Sequence, residues 1–160
     1  MVEEALKEVV VYTDGACKGN PGPGGYCALL VHGEKQKELV GGFRLTTNNR
    51  MEMMAAIVAL ESLRYRCKVT IYTDSKYLHD SIELGWAKRW RSKGWVVKTG
   101  GKAANPDLWE RLLNLCDTHD VQFRWVKGHA GHEENERCDV LSVEASLRKD
   151  LPDDEGYVPG

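Results

Sequence analysis

Apolar positions fall into short β-branched runs early in the chain and into longer helix-forming stretches later. EVVVYTDG is an apolar run closed by a turn pair, and GGYCALLVHG and KELVGGFRL follow it with glycine punctuation, which predicts three strands in a meander. From Asn49 to about Arg66 strong helix formers continue without Gly or Pro, predicting a long helix. KVTIYTD then reads as a strand, helices are predicted over Lys76 to Leu84, Trp86 to about Ser92 and Asp107 to Thr118, VQFRWVK is the last strand, and a final helix runs from about Glu133 to Leu147. Strands that first run together and then alternate with helices predict an α/β fold, a mixed sheet with helices packed on its faces.

With 160 residues, 42% of them hydrophobic, the chain can build one ordinary core and is short for two. Residues 1–148 are therefore read as one domain, and residues 149–160, ending in DLPDDEGYVPG, as an acidic, proline-bearing tail expected to be flexible. No run approaches the length of a membrane span, and MVEEALKEVV lacks the basic flank and apolar stretch of a signal peptide, so a cytoplasmic location is expected. Five cysteines, at 17, 27, 67, 116 and 138, contain no CxxC pair, which favours reduced, mostly buried thiols over a disulfide framework or a zinc ribbon.

A net charge of −2 does not advertise a nucleic-acid partner, but it hides an asymmetry. Between Leu84 and Pro106 there is no acidic residue, while Lys88, Arg89, Arg91, Lys93, Lys98 and Lys102 supply six positive charges. Three tryptophans, Trp86, Trp90 and Trp95, interleave with them, the combination expected where a duplex lies across a protein surface. Helical i,i+4 spacing of Trp86 and Trp90 also suits packing, and at least one tryptophan is expected to turn inward.

Candidate chemistry begins with an echo, Tyr12-Thr13-Asp14 and Tyr72-Thr73-Asp74, each closing a β run with a carboxylate. Ligands gather at the carboxyl ends of strands in open α/β sheets, so strand-end aspartates suit a divalent metal. Taken singly, Asp14-Gly15 equally reads as a turn and Asp74 as a helix cap. Glu52 similarly completes a capping-box spacing from Asn49, and Asp139 fits a solvated helix face.

The motifs taken together change that balance. YTDGACKGNPGPGGY, TTNNRMEMMAAIVAL, YTDSKY, NPDLW and WVKGHAGHEENERCD occur in this order, and from about Val9 to Ala145 the chain closely resembles type 1 ribonuclease H. The resemblance implies a five-stranded mixed sheet whose first three strands are antiparallel, and a catalytic, metal-holding set of Asp14, Glu52, Asp74 and Asp139. Carboxylates packed together repel and raise one another's pKa unless cations neutralise them, and hard oxygen ligands favour Mg²⁺, with Mn²⁺ as substitute. The implied activity is endonucleolytic hydrolysis of the RNA strand of an RNA/DNA hybrid with two ions, leaving 5′-phosphate and 3′-hydroxyl ends. In that scheme Asp14 bridges the ions, Asp139 serves the water side, and Glu52 and Asp74 serve the leaving-group side.

By the same resemblance His129 is a mobile proton-shuttling or product-release histidine, Cys17, Asn20, Asn48 and Glu52 face the RNA strand, and Thr47 and Asn105 grip a DNA-strand phosphate. Trp86, Lys88, Arg89, Trp90 and Arg91 belong to a basic protrusion under the duplex, and Lys76 contacts substrate near the metals. A monomer without an obligate protein partner is implied. Lys76 stands where the family commonly has glutamine, and CDVLSVEAS departs from its usual ending, which puts contacts near the RNA strand and the packing of the last helix in question. A zinc site from His129, His132 and Cys138 lacks an evident fourth ligand. His32, His79 and His119 read as surface or packing residues. Two other classes compete: a hybrid-binding module without catalysis, against which the complete carboxylate set argues, and a nuclease of the same fold acting on DNA junctions or transposon ends, against which TTNNRME and KGHAGHEENERCD argue.

Overall fold

The structure, a computed structural model, describes residues 6–97, 99–127 and 132–158. Three antiparallel strands open the chain: β1 (Lys7–Cys17), β2 (Gly22–His32) and β3 (Lys35–Thr46). They are followed by α1 (Asn48–Glu61), β4 (Cys67–Thr73), α2 (Lys76–Glu83), α3 (Trp86–Ser92), α4 (Pro106–Thr118), β5 (Asp120–Trp125) and α5 (Glu133–Ser146). The sheet order is β3-β2-β1-β4-β5, with β4 parallel to both β1 and β5. The mixed sheet and antiparallel opening agree with the expectation.

Helix α1 is buried almost all round, with Met51, Met53, Met54, Ala55, Ala56, Ile57, Ala59 and Leu60 in the core. An unbroken apolar run suits that position, because α1 lies between the sheet and α4 and has no polar face to offer water. Burying each of its larger side chains stabilises the fold by roughly 1.5–3 kcal/mol. Helix α5 packs against β1, β2 and β3 with a smaller core of Cys27, Leu29 and Cys138. Its backbone comes so close to β2 that a Cβ on Gly25 would stand 2.1 Å from the Ser142 carbonyl oxygen.

Several expectations need correction. Helix α1 stops at Glu61, five residues before Arg66, because the Ser62 hydroxyl donates to the Ala59 carbonyl at 2.7 Å and the chain turns towards β4. Its N-cap is Thr47, whose hydroxyl accepts the Arg50 N–H at 3.3 Å, so the box starting at Asn49 is not formed and Glu52 is free of any capping role. Nor is Asp14 at a strand end, since β1 continues to Cys17 against β2.

The tail makes specific contacts with the body of the fold. The Arg44 N–H donates to the Pro152 carbonyl at 2.8 Å, and the Arg44 guanidinium pairs with Asp153. Asp154 turns its buried carboxylate onto the Arg50 guanidinium at 2.7 Å and accepts the Thr46 hydroxyl at 2.7 Å. Arg50 is itself fully buried and also meets Asp107 at 2.6 Å. Burial would by itself lower the Arg50 pKa, yet the two carboxylates hold it above its ordinary value. An acid-rich strap thus supplies the countercharge that a buried guanidinium requires.

Candidate active site

Strands β1 and β4 run parallel as far as Tyr12 and Tyr72, and each places an aspartate two residues further on. Asp14 continues in β1 opposite Cys27 of β2, whereas Asp74 stands just past the end of β4. A crevice opens where parallel strands part, the usual place for a ligand in this class of sheet. Glu52 enters from the second turn of α1, and carboxylate oxygens of Asp14, Glu52 and Asp74 lie within 4.8 Å of one another. Asp139 is carried by α5 and is near enough for its charge to act on Asp14.

Gly15 joins the two buried carboxylates. Its backbone N–H donates to Asp14 Oδ1 at 2.9 Å and to Glu52 Oε1 at 3.1 Å. Only glycine permits this approach, because a Cβ here would stand 2.6 Å from the Glu52 backbone nitrogen. The second oxygens, Asp14 Oδ2 and Glu52 Oε2, are buried without a hydrogen-bond partner. Burial, reinforced by the charges of Asp74 and Asp139 and opposed by the Gly15 hydrogen bond, pushes the Asp14 carboxyl up to about 7. Burial and then the charges of Asp14 and Asp74 raise Glu52 well above the usual carboxylate range. Two orphaned acidic oxygens facing a third carboxylate form a donor set suited to a hard divalent cation, which neutralises the repulsion and satisfies the lone pairs.

The remaining sequence-predicted residues divide into groups. Asn20 and Asn48 meet directly, the Asn48 N–H donating to Asn20 Oδ1 at 3.1 Å. Asn20, Thr47 and Asn105 line one open cleft of about 570 Å³, together with Lys102 and Arg50. Asn105 Oδ1 accepts from Arg50 at 3.3 Å, which leaves its amide NH₂ as a donor. The Cys17 thiol sits 3.3 Å from the Gly19 carbonyl and 3.4 Å from those of Gly22 and Thr46, so it braces the β1–β2 loop. Lys76 is exposed beside the cluster, its ammonium 5.9 Å from the centre of the Trp125 ring, whose indole N–H donates to the Asp74 carbonyl at 3.1 Å.

On α3, Lys88 and Arg89 are exposed, Trp86 and Arg91 are half-buried, and Trp90 turns inward, its ring edge against Trp109 at 6.0 Å. The expected inward tryptophan is therefore present, while Arg91 also comes within 3.8 Å of Asp117. His129 and Lys98 lie outside the described residues. The zinc reading loses its thiol, since Cys138 is buried with its sulfur 3.4 Å from the Tyr12 carbonyl, and the metal-suited group among the described residues is Asp14, Glu52 and Asp74.

Three aromatic rings pack together next to the strand segments that lead to the aspartates. Tyr12 and Tyr72 stack with ring centres 5.3 Å apart, and His132 stands edge-on to both, at 5.8 and 5.5 Å. The His132 ring Nδ1 also lies 3.0 Å from Asn135 Oδ1 in the first turn of α5. The tyrosine repeated ahead of each aspartate was the available signal for the stack; His132, weighed from sequence only as a zinc ligand, gave no signal for this packing.

The family model for RNase H matches residues 6–147. A ribonuclease H from Rippkaea orientalis is 60% identical over 98% of this chain and 96% of its own length. One from Syntrophus aciditrophicus is 62% identical over 97% and 90% respectively. Among solved structures, LC9-RNase H1, a type 1 RNase H with the type 2 active-site motif, superposes with a TM-score of 0.79 at 31% identity, over 91% of this chain and 74% of that one. LC11-RNase H1 in complex with RNA/DNA hybrid shares the fold with a TM-score of 0.64 at 23% identity, over 86% of this chain and 95% of that one. Similarity of this extent, in sequence and in fold, makes the chain a member of the type 1 ribonuclease H family and a ribonuclease of the hydrolase class.

Proposed function

We propose that the protein is an endonuclease that hydrolyses the RNA strand of RNA/DNA hybrids with Mg²⁺, leaving 5′-phosphate and 3′-hydroxyl ends. The observation that carries this reading is the pair of buried, unpartnered oxygens, Asp14 Oδ2 and Glu52 Oε2, in a cluster whose donor atoms lie within 4.8 Å. Family membership and the hybrid bound to the related LC11-RNase H1 support the choice of substrate.

Asp14, Glu52, Asp74 and Asp139 are the residues that would hold the metal. When bound, two such ions supply charge stabilisation at the attacking and leaving oxygens of a phosphodiester, and Mn²⁺ meets the same oxygen-ligand demand. The protein's own part is positional. Gly15 clamps the two buried carboxylates through one N–H, so the cluster is preorganised by backbone rather than by flexible side chains. No side-chain nucleophile is needed, because water attacks phosphorus directly. His129 serves as a proton shuttle or in product release, and an imidazole that changes charge near neutral pH suits either task.

Recognition rests on two surfaces. Asn20 and Asn48 meet one another and carry amide donors and acceptors that can read a ribose 2′-hydroxyl, with Cys17 on the same strand as Asp14. Thr47, Asn105 and Lys102 line the cleft that would take a phosphate of the DNA strand, and Lys88, Arg89 and Arg91 extend the positive surface across α3. All four carboxylates come from one chain, so the protein is expected to act as a monomer.

Cleavage in ¹⁸O-labelled water, followed by mass spectrometry of the fragments, tests the reaction. Label in a 5′-phosphate with an unlabelled 3′-hydroxyl on the other fragment is the expected result. A 2′,3′-cyclic phosphate would show attack by the ribose instead of water and refute the proposal.

A further inference from the structure

Helices α1 and α5 cover opposite faces of the sheet, since Ala28 and Leu30 of β2 join the core that holds α1, while the alternate residues Cys27 and Leu29 pack with Cys138 of α5. Asp139 is thus the carboxylate delivered by α5, in a different layer from the Gly15 clamp that joins β1 to α1. Its place depends on how α5 is fastened to the strands. Two contacts fasten that helix to a single residue of β1, Tyr12. The Cys138 sulfur, directly before Asp139 in the chain, lies 3.4 Å from the Tyr12 carbonyl oxygen. His132, at the N-cap of α5, stands edge-on to the Tyr12 ring at 5.8 Å and to the Tyr72 ring at 5.5 Å. Its side chain makes no capping hydrogen bond; instead Nδ1 lies 3.0 Å from Oδ1 of the buried Asn135, which orients the ring. Each tyrosine precedes its aspartate by two positions, so Tyr12 and Asp14 share a face of β1. Residues 132 and 139 are close to two helical turns apart, which puts His132 and Asp139 on one side of α5, roughly 10 Å from each other along its axis. The helix packs on β1, β2 and β3, and His132 extends that contact to Tyr72 of β4.

We propose that His132 is a positioning residue for the metal-holding carboxylates: packed across the stacked Tyr12 and Tyr72 rings, it locks the start of α5 over the seam between β1 and β4 and so fixes Asp139 relative to Asp14 and Asp74. The inference rests on the reading of these carboxylates as the metal site. Edge-on ring contacts are directional, because the positive edge of one ring meets the negative face of another, so they resist sliding and rocking of the helix more than aliphatic packing does. Metal ligands and reacting groups must be held to within about 0.5 Å, and groups that orient them from behind act on metal affinity and on turnover before they act on stability. The tyrosine pair supplies a surface common to both aspartate-bearing segments, and His132 is the part of the α5 layer that touches both rings.

The test is a double-mutant cycle between His132→Ala and Asp139→Asn in the full chain, read by calorimetric titration with Mg²⁺ and by kcat and KM on a hybrid. His132→Ala is expected to weaken Mg²⁺ binding and lower kcat by about tenfold each, with KM for the hybrid unchanged. Once Asp139→Asn is present, His132→Ala should add nothing further. His132→Phe, which keeps a ring against both tyrosines, should recover most of the loss, and Tyr72→Ala should reproduce it, including where His132→Ala does not fold. Losses that add in full in the double variant would show that His132 acts elsewhere and overturn the proposal. Wild-type Mg²⁺ affinity in both His132→Ala and Tyr72→Ala would overturn it too, as would a rise in KM alone, which marks a contact with substrate. Asp139→Asn that binds Mg²⁺ as the wild type does would overturn it at its premise, the metal-holding role of Asp139, and is distinguishable from the other outcomes because it needs no change at His132.

Discussion

The backbone N–H of Gly15 donates to Glu52 Oε1 at 3.1 Å, tying β1 to α1 at the level where both elements carry a buried carboxylate. Gly15→Ala places a methyl 2.6 Å from the Glu52 nitrogen and 2.7 Å from the Met51 carbonyl carbon, and backbone cannot yield as a side-chain tip does. Overpacking of this sort costs roughly 1–3 kcal/mol. Urea unfolding should report that loss together with a fall in kcat, and wild-type stability in the variant would show that α1 can shift away.

Asp14 and Glu52 should destabilise the metal-free protein at neutral pH. A carboxyl whose pKa is higher in the folded than in the unfolded state keeps its proton in the native form longer, so stability falls as pH rises from the ordinary carboxylate range through about 7. The penalty is present in full above that value, and bound metal relieves it. Mg²⁺ should therefore raise the melting temperature little at pH 5 and increasingly towards pH 8. Asp14→Asn, lacking the charge, should melt higher than the wild type without metal at pH 8, by about 1 kcal/mol or roughly 2–4 °C, and should lose activity. A metal-induced shift independent of pH would contradict this linkage.

Asp154 is the deepest anchor of the C-terminal strap. Asp154→Ala leaves the buried Arg50 with one carboxylate, Asp107, and the Asn105 amide oxygen, and removal of one partner from a buried ion pair costs roughly 3 kcal/mol. Thermal melts should show the loss, and hydrogen exchange should show faster exchange at the Arg44 amide, which donates to Pro152. A variant as stable as the wild type, with that amide still protected, would mean that the strap holds through Arg44 and Asp153 instead.

The basic face of α3 makes a separate prediction. Replacing Lys88, Arg89 and Arg91 together with alanine should weaken hybrid binding and reduce the slope of log K against log salt by about 0.7–0.9 for each phosphate that is no longer neutralised. Trp90 keeps its packing on Trp109 in that variant, so the fold should be retained, as circular dichroism would check. Unchanged affinity and slope would remove α3 from the binding surface.

Much of this arrangement is legible in the sequence, for identifiable reasons. The tyrosine-threonine-aspartate echo survives as geometry, because both aspartates lie two positions past the last parallel pair, Tyr12 with Tyr72. MMAAIVAL, residues 53–60, is apolar on every side because α1 is buried on nearly every side. What could not be read depends on partners distant in the chain. DLPDDEGYVPG has the composition of a mobile tail, and only the fold brings Asp154 to Arg50, 104 positions away. Asp14-Gly15 looks like turn chemistry, whereas Gly15 is required by the close approach of α1. The break after Glu61 depends on a serine hydroxyl capturing a carbonyl, which helix propensity alone does not register.

The most direct test of hybrid-specific, metal-dependent hydrolysis is digestion of an RNA/DNA hybrid labelled separately on each strand, with and without Mg²⁺, beside matched RNA and DNA duplexes and the Asp14→Asn variant. Mg²⁺-dependent loss of the RNA strand of the hybrid alone, abolished in the variant, is the predicted result. Cleavage of the DNA strand or of either control duplex, or undiminished cleavage by Asp14→Asn, would contradict it.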